Sequence, residues 1–227
     1  MKFLIIGLGN FGASVATELT SMGHEVIAVD SDIVRVETFK DDITSTICMN
    51  CNDEHGLSNL PLKDTDVAIV CIGEDFGSSI MVAALLKKYK INRLICRATS
   101  TIHESVLKSI GVDDIVFPEQ ETALRLTQRL LLKGVVDSYQ ADEHHFIIKS
   151  YLPEAYDGLS IKEINFESYN LSILSVISTQ KTENIFGEKI NKYYVNTQKL
   201  SPDTKLTKDD LILVYGNKAD IQRFFMV

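Results

Sequence analysis

The sequence lacks an excess of basic residues and long apolar runs, and each absence excludes a class of protein. Lys and Arg number 23 against 31 Asp and Glu, which gives a formal net charge of −8. Nucleic-acid-binding proteins usually carry a basic patch, so no nucleic acid is expected as a partner. No stretch approaches the roughly 20 apolar residues of a membrane span. A strand pattern begins at the N-terminus and leaves no room for a signal peptide, so a cytoplasmic location is expected.

Cysteine is also scarce. Cys71 and Cys96 fall in apolar strand patterns and are interpreted as small buried residues. Cys48 and Cys51 have CxxC spacing, but the chain has no second CxxC or HxxxH pair to complete a zinc site. We therefore favour a nucleotide-binding turn over a metal or redox motif at this position.

The most informative segment is present at residues 3–12. An apolar strand leads into Gly7-x-Gly9-x-x-Gly12, and a helical pattern follows directly. In a dinucleotide-binding turn the first glycine permits the tight turn, the second lets the backbone approach a diphosphate, and the third lets helix and strand pack closely. The next strand ends at Asp30, 18 positions after Gly12, where an acid can accept hydrogen bonds from ribose hydroxyls. The order of these features predicts a nucleotide site.

The first part of the chain alternates strand and helix patterns. Short apolar runs predict strands at residues 3–6, 26–29, 46–49, 67–72, 94–98 and 115–117, and amphipathic patterns predict helices at 11–22, 77–89 and 102–110. Continuous apolar strands are typical of a parallel sheet that is buried on both faces. The predicted fold class is α/β, with a doubly wound Rossmann-like domain over residues 1–134.

A smaller α+β domain is predicted over residues 142–227, with residues 135–141 as the connection. Its expected strands cover residues 145–151, 171–178, 193–195 and 211–215, and its expected helices cover 160–164 and 219–225. A helix at 119–133 has an apolar face wider than one sheet requires. It is either a well-buried last helix of the first domain or a helix that crosses to a partner subunit or the second domain.

The residues needed for catalysis are sparse. A dehydrogenase usually positions an acid or base beside its cofactor together with a substrate-binding arginine. The small second domain offers His144 and His145, whose side chains would point to opposite faces of a strand. We therefore expect no enzyme activity. An NAD-dependent oxidoreductase with a small substrate domain is the alternative.

The chain resembles the RCK family (regulator of potassium conductance), and more narrowly the cytosolic gating subunits of Ktr/Trk-type potassium uptake systems. The resemblance covers almost the whole chain. It rests on residues 6–12, 23–30, 70–73, 110–113 and 117–119 in the first domain, and on 159–161, 200–202 and 208–216 in the second.

The resemblance implies an adenine-nucleotide-sensing regulatory subunit that gates a separate membrane potassium channel subunit. Such subunits are homodimers that assemble into a ring, here expected to be an octamer, at the inner face of the membrane. The ligand would be ADP, ATP or NAD(H), and the second domain would carry a ligand-sensing function.

The resemblance also assigns site residues. Gly7, Gly9, Asn10, Phe11 and Gly12 would hold the phosphates and Asp30, with Ser31 beside it, the ribose. Asn50, Cys51 and Asn52 would line the adenine, Gly73 would close the pocket, and Arg97 would reach the phosphates. Glu119 would lie near the terminal phosphate, where relatives place a divalent cation between two bound nucleotides.

Two departures from the family pattern matter. Relatives that respond differently to ATP and ADP commonly carry Arg where this chain has Asn10. The neutral Asn weakens the expected recognition of a γ-phosphate, so ADP, AMP or NAD(H) is favoured as the ligand. Some relatives bind a cyclic dinucleotide in the second domain through a basic residue, whereas the matching stretch here, residues 165–168, carries Glu167. That ligand is not expected.

Overall fold

A computed structural model of the chain describes residues 1–183, 189–195 and 200–226. Contacts divide the chain into two compact units, Met1–Glu119 and Gln120–Val227. Each unit has its own sheet and its own hydrophobic core.

The first unit is built on a six-stranded parallel sheet with the order β3-β2-β1-β4-β5-β6. Its strands are β1 (Lys2–Ile6), β2 (Glu25–Asp30), β3 (Ser45–Cys48), β4 (Val67–Val70), β5 (Leu94–Arg97) and β6 (Asp114–Val116). Its helices are α1 (Asn10–Ser21), α2 (Ile33–Phe39), α3 (Glu54–Ser58), α4 (Phe76–Lys88) and α5 (Thr101–Ile110). This is the doubly wound strand order, so the predicted α/β fold class is confirmed.

The central strand β1 shows why an apolar run forms a parallel strand here. Leu4 and Ile6 belong to the core on one face of the sheet, and Ile5 belongs to the core on the other face. All three side chains are almost completely buried. Since both faces are covered by helices, the strand reads as continuously apolar rather than alternating.

The second unit carries a five-stranded antiparallel sheet with the order β10-β9-β11-β8-β7. Its strands are β7 (Val135–Gln140), β8 (His145–Tyr151), β9 (Ser172–Glu183), β10 (Lys189–Val195) and β11 (Leu211–Asn217). Its helices are α6 (Pro118–Leu131), which begins just before the division between the units, α7 (Ile161–Ile164) and α8 (Lys218–Phe225). Phe146 and Ile148 of β8 face a core centred on the buried Phe224 of α8.

One predicted connection is a strand, and the helix whose place was left open packs in the second unit. Residues 135–141, predicted as a connection, contain the edge strand β7. Its polar residues obscure the alternation of apolar and polar positions that is typical of a strand. An edge strand with one solvated face tolerates such residues. The helix predicted at 119–133 is α6, and its Leu124 packs against the core of the second unit.

Candidate functional site

The candidate site is a cleft in the first unit at the carboxyl ends of the parallel strands. The strand order reverses on either side of β1, and ligands of doubly wound sheets bind at this point. The cleft has a volume of about 820 Å³. The predicted site residues that line it are Gly7, Gly9, Asn10, Phe11, Asp30, Ser31, Asn50, Cys51, Asn52, Gly73, Arg97 and Glu119.

Gly12 does not line the cleft, and the geometry explains its place in the motif. A Cβ on Gly12 would lie 1.9 Å from the carbonyl oxygen of Gly7 and 2.9 Å from the Cβ of Cys71. Gly7 itself has a φ of +99°, a conformation that favours glycine. Gly12 therefore lets α1 pack against the end of β1. At Gly9, by contrast, a Cβ would enter open space and meet only an arginine nitrogen at 3.8 Å.

One end of the cleft is formed by the N-terminus of α1. Gly9 is the N-cap residue, and no side chain from the described residues caps this terminus. The first N–H groups of a helix have no partner within the helix, and the helix dipole places positive charge there. An uncapped N-terminus behind a glycine-rich turn is therefore suited to a phosphate group.

Asp30 lies beside this turn, at the carboxyl end of β2. Its carboxylate is buried and accepts the Leu8 N–H at 2.6 Å and the Asp32 N–H at 2.8 Å. An ionised carboxylate offers about four lone-pair sites, so two backbone donors leave capacity for ribose hydroxyls. The same side chain thus positions the glycine-rich turn and offers acceptors to a sugar.

The loop after β3 forms the opposite end of the cleft. Asn52 donates from Nδ2 to the Ser78 hydroxyl at 2.6 Å, and its Oδ1 is buried without a hydrogen-bond partner in the described part of the chain. Met49 and Phe39 also line the cleft and add apolar surface to it. The exocyclic amine of a flat base would satisfy this acceptor once the Asn52 side chain turns toward the cleft.

The cysteines behave as packing residues. Burial raises the pKa of the Cys51 thiol to about 12, with a smaller contribution from the nearby Asp30 carboxylate. Cys48 is exposed and Cys51 is buried, and both are free thiols. No group of three or more potential metal ligands occurs within the residues that the structure describes. Within the described residues, Cys48 and Cys51 are thus not joined by further potential metal ligands.

Arg97 and Glu119 lie together in the wall of the cleft. The Arg97 guanidinium covers Gly73, where a Cβ would come within 2.6 Å of Nη1, and it forms an ion pair with Glu119. The Arg97 Nε is buried and has no partner among the described residues. A phosphate that enters the cleft would compete with Glu119 for this guanidinium.

Sequence reasoning missed several lining residues. Arg35, from the first turn of α2, reaches into the cleft, and Glu74, Asp75 and Ser78 approach from the loop and helix after β4. The short helix α2 has a weak apolar pattern and was not predicted. An arginine five positions after Asp30 was the available signal, since in related folds an arginine near the acid that ends the second strand accommodates the 2′-phosphate of NADP.

The second unit has a cleft of its own. Its volume is about 810 Å³, and it is lined by parts of α6, β7, β8 and β11. In its wall Arg125 donates to Asp137 from Nε to Oδ1 at 3.1 Å and from Nη2 to both carboxylate oxygens at 2.8 Å. The predicted ligand of this unit and the predicted absence of a cyclic dinucleotide both stay predictions.

Fold and site together define a Rossmann-type nucleotide-binding module followed by a small α+β unit. Residues 3–118 match the TrkA-N domain. The chain therefore belongs to the TrkA-N family.

The comparisons with individual proteins agree with this assignment. The chain is 28% identical over 225 residues to the Ktr system potassium uptake protein A of Bacillus subtilis (strain 168), covering 98% of this chain and 95% of that protein. The fold matches the crystal structure of the GsuK RCK domain with a TM-score of 0.64 at 15% identity, covering 99% of this chain and 47% of that chain. It matches the GsuK channel bound to NAD with a TM-score of 0.63 at 16% identity, covering 98% and 38%. This chain thus spans less than half the length of those solved chains.

Proposed function

We propose that this chain is an adenine-nucleotide-sensing regulatory subunit that gates a membrane potassium uptake channel. The observation that carries the proposal is the cleft in which Asp30 borders the uncapped N-terminus of α1. The match to the Ktr protein A over nearly the full length of both chains supports the regulatory role rather than an oxidoreductase. No helix among the described residues could cross a membrane, so a separate membrane subunit would form the pore.

We assign a part of the nucleotide to each wall of the cleft. The diphosphate would lie over Gly9 at the start of α1, with Arg97 beside it, and the ribose would contact Asp30. The adenine would lie between Phe39 and Met49, with its exocyclic amine donating to the Asn52 Oδ1. The unpaired Asn52 acceptor and the open space above Gly9 both fit such a ligand. ADP, ATP and NAD(H) share these parts.

The neutral Asn10 at the first position of α1 limits how strongly a γ-phosphate could be bound. Glu119 is the residue that would hold a divalent cation between two bound nucleotides, once phosphate has displaced it from Arg97. We propose no catalytic residue, because gating requires only that the nucleotide bind two states of the assembly with different affinity.

The proposed assembly is a homodimer that forms a ring, an octamer, at the inner face of the cell membrane. In this arrangement the protein is cytoplasmic and is held at the membrane by its partner. A nucleotide in the first unit would change the geometry between subunits and thereby the conductance of the channel.

Potassium uptake tests the proposal in cells that lack their own potassium uptake systems. A Ktr-type membrane subunit is co-expressed with the wild-type chain or with Asp30→Ala, and uptake of potassium at low external concentration is measured. We expect the wild-type chain to raise uptake and Asp30→Ala to lose most of this effect. Asp114→Ala is the matched control, because Asp114 is exposed and lies outside the cleft. Uptake that does not respond to the chain would contradict the gating role.

A further inference from the structure

Arg35 occupies a position that the assigned nucleotide contacts do not explain. It lies in the first turn of α2, five positions after Asp30. Its Nη1 is 3.8 Å from the place where a Cβ on Gly9 would lie. The guanidinium therefore lies beside the glycine over which a diphosphate has to pass.

The residues around this guanidinium are acidic, but they do not accept hydrogen bonds from its N–H groups. Arg35 lies 3.8 Å from the Asp30 carboxylate, 3.7 Å from Asp32 and 3.5 Å from Glu74. None of these contacts meets hydrogen-bond geometry, and Arg35 donates no hydrogen bond to any residue in the ranges 1–183, 189–195 and 200–226. A guanidinium carries five N–H donors in a fixed fork. The acids thus hold the charge at the mouth of the cleft while its donors stay available.

We propose that Arg35 binds the diphosphate of the nucleotide and gives up its ion pair with Glu74 when it does so. Glu74 is the natural partner to lose, because its side chain is 90% exposed and its ion pair with Arg35 is long. Exposed ion pairs contribute little to stability, whereas a charge-assisted bidentate contact to phosphate is strong and directional. This inference rests on the proposed function, since it concerns the same cleft.

The same arrangement selects among adenine nucleotides. A 2′-phosphate at the ribose edge would meet the carboxylates of Asp30 and Asp32, and one guanidinium cannot offset both. A monophosphate would reach less of the region above Gly9 than a diphosphate. Arg35 therefore favours nucleotides with a diphosphate and a free 2′-hydroxyl, such as ADP and NAD, over AMP and NADP.

Calorimetric titration of the full chain with ADP, NAD, AMP and NADP tests the inference. Arg35→Gln should weaken ADP and NAD binding by about tenfold, the scale of one charge-assisted contact, and AMP binding by much less. Arg35→Lys should restore part of the loss, because lysine keeps the charge but not the fork. Arg93→Gln is the matched control, since Arg93 pairs with Asp114 outside the cleft.

Glu74 supplies the sharper test. Glu74→Gln should tighten ADP binding by a few-fold, because it frees the guanidinium and removes a like charge. If part of this gain depends on Arg35, the gain shrinks when Glu74→Gln is combined with Arg35→Gln. An equal gain in ADP affinity with and without Arg35→Gln would show that Glu74 does not compete for Arg35. It would overturn the proposal that the diphosphate replaces Glu74 as the partner of Arg35.

The outcomes separate this inference from the proposed function. Failure of the wild-type chain to bind any of these nucleotides would overturn the proposed function. Normal binding of ADP and NAD by the wild-type chain and by Arg35→Gln alike would overturn only the role of Arg35. Tighter binding of NADP than of NAD, lost in Arg35→Gln, would assign Arg35 to a 2′-phosphate and contradict the diphosphate contact. Should Arg35→Gln fail to fold, the Arg35→Lys and Glu74→Gln titrations decide the question.

Discussion

Changing each of two glycines in the same turn to alanine is expected to have different effects, on stability at one position and on nucleotide binding at the other. Gly12→Ala places a Cβ 1.9 Å from the Gly7 carbonyl oxygen, a backbone atom that cannot rotate away. Gly9→Ala places a Cβ in open space, 3.8 Å from Arg35, at a residue whose φ of −69° suits alanine. The first change therefore damages the fold and the second damages the ligand site.

The magnitudes follow from these distances. Overpacking costs about 1–3 kcal/mol, and a contact with backbone belongs at the upper end of that range. For a chain of this length each kcal/mol lowers the Tm by roughly 2–4 °C, so Gly12→Ala should lose about 6–12 °C. Replacing a glycine N-cap by alanine costs about 1 kcal/mol or less. Gly9→Ala should therefore stay folded but bind ADP and NAD at least about tenfold more weakly, because its Cβ occupies the path of the diphosphate.

Thermal denaturation measures the stability of each variant, and calorimetric titration of a separate portion of the same preparation measures its nucleotide affinity. Gly77→Ala is a useful control, because Gly77, like Gly12, lies in a helix, but a Cβ there would meet only the Asp75 side chain, at 3.4 Å. Equal stability of Gly12→Ala and Gly9→Ala would refute the packing role of Gly12. Wild-type affinity in Gly9→Ala would refute the placement of the diphosphate.

Three further predictions concern the two units. Asp30→Ala should lower the free energy of unfolding by about 1–3 kcal/mol, because the buried Leu8 N–H loses its acceptor; urea denaturation checks this, and an unchanged midpoint contradicts it. A thiol reagent at mildly alkaline pH should modify Cys48 quickly and the other three cysteines slowly, since burial raises the pKa of each of those thiols to about 12; four equally fast thiols would contradict the buried assignment. Hydrogen bonds from Arg125 lower the pKa of Asp137, so the stabilising effect of this carboxylate is present above an unfolded-state pKa of about 3.9 and is lost as the pH falls through the lower folded-state value. The difference in unfolding free energy between the wild-type chain and Asp137→Asn should accordingly shrink below about pH 4, and a difference independent of pH would count against the ion pair.

The parallel sheet could be predicted from the sequence because its signals are local. Each buried strand is a continuous apolar run, and the turn after β1 needs glycines at fixed positions. Asp30 could be placed for the same reason, since it ends the second strand directly. The chain order alone then brings these residues to one edge of the sheet.

The features that escaped prediction depend on tertiary context. Strand β7 looks like a connection because Asp137, Ser138 and Gln140 interrupt its apolar pattern, which an edge strand tolerates. Helix α2 is too short to show a clear hydrophobic periodicity. The sequence therefore could not predict that the side chain of Arg35 points into the cleft. The pairing of Arg97 with Glu119 requires that the ends of β5 and β6 lie side by side, which only the assembled sheet provides.

The binding of adenine nucleotides to the purified chain tests the central claim most directly. Calorimetric titration with ADP, ATP, NAD, NADH and GDP compares ligands that differ in phosphate number and in the base. The account predicts one nucleotide per chain, binding of ADP and NAD, and weaker binding of GDP, because guanine carries a carbonyl where adenine offers its amine to the unpaired Asn52 oxygen. Absence of binding by every adenine nucleotide would contradict it.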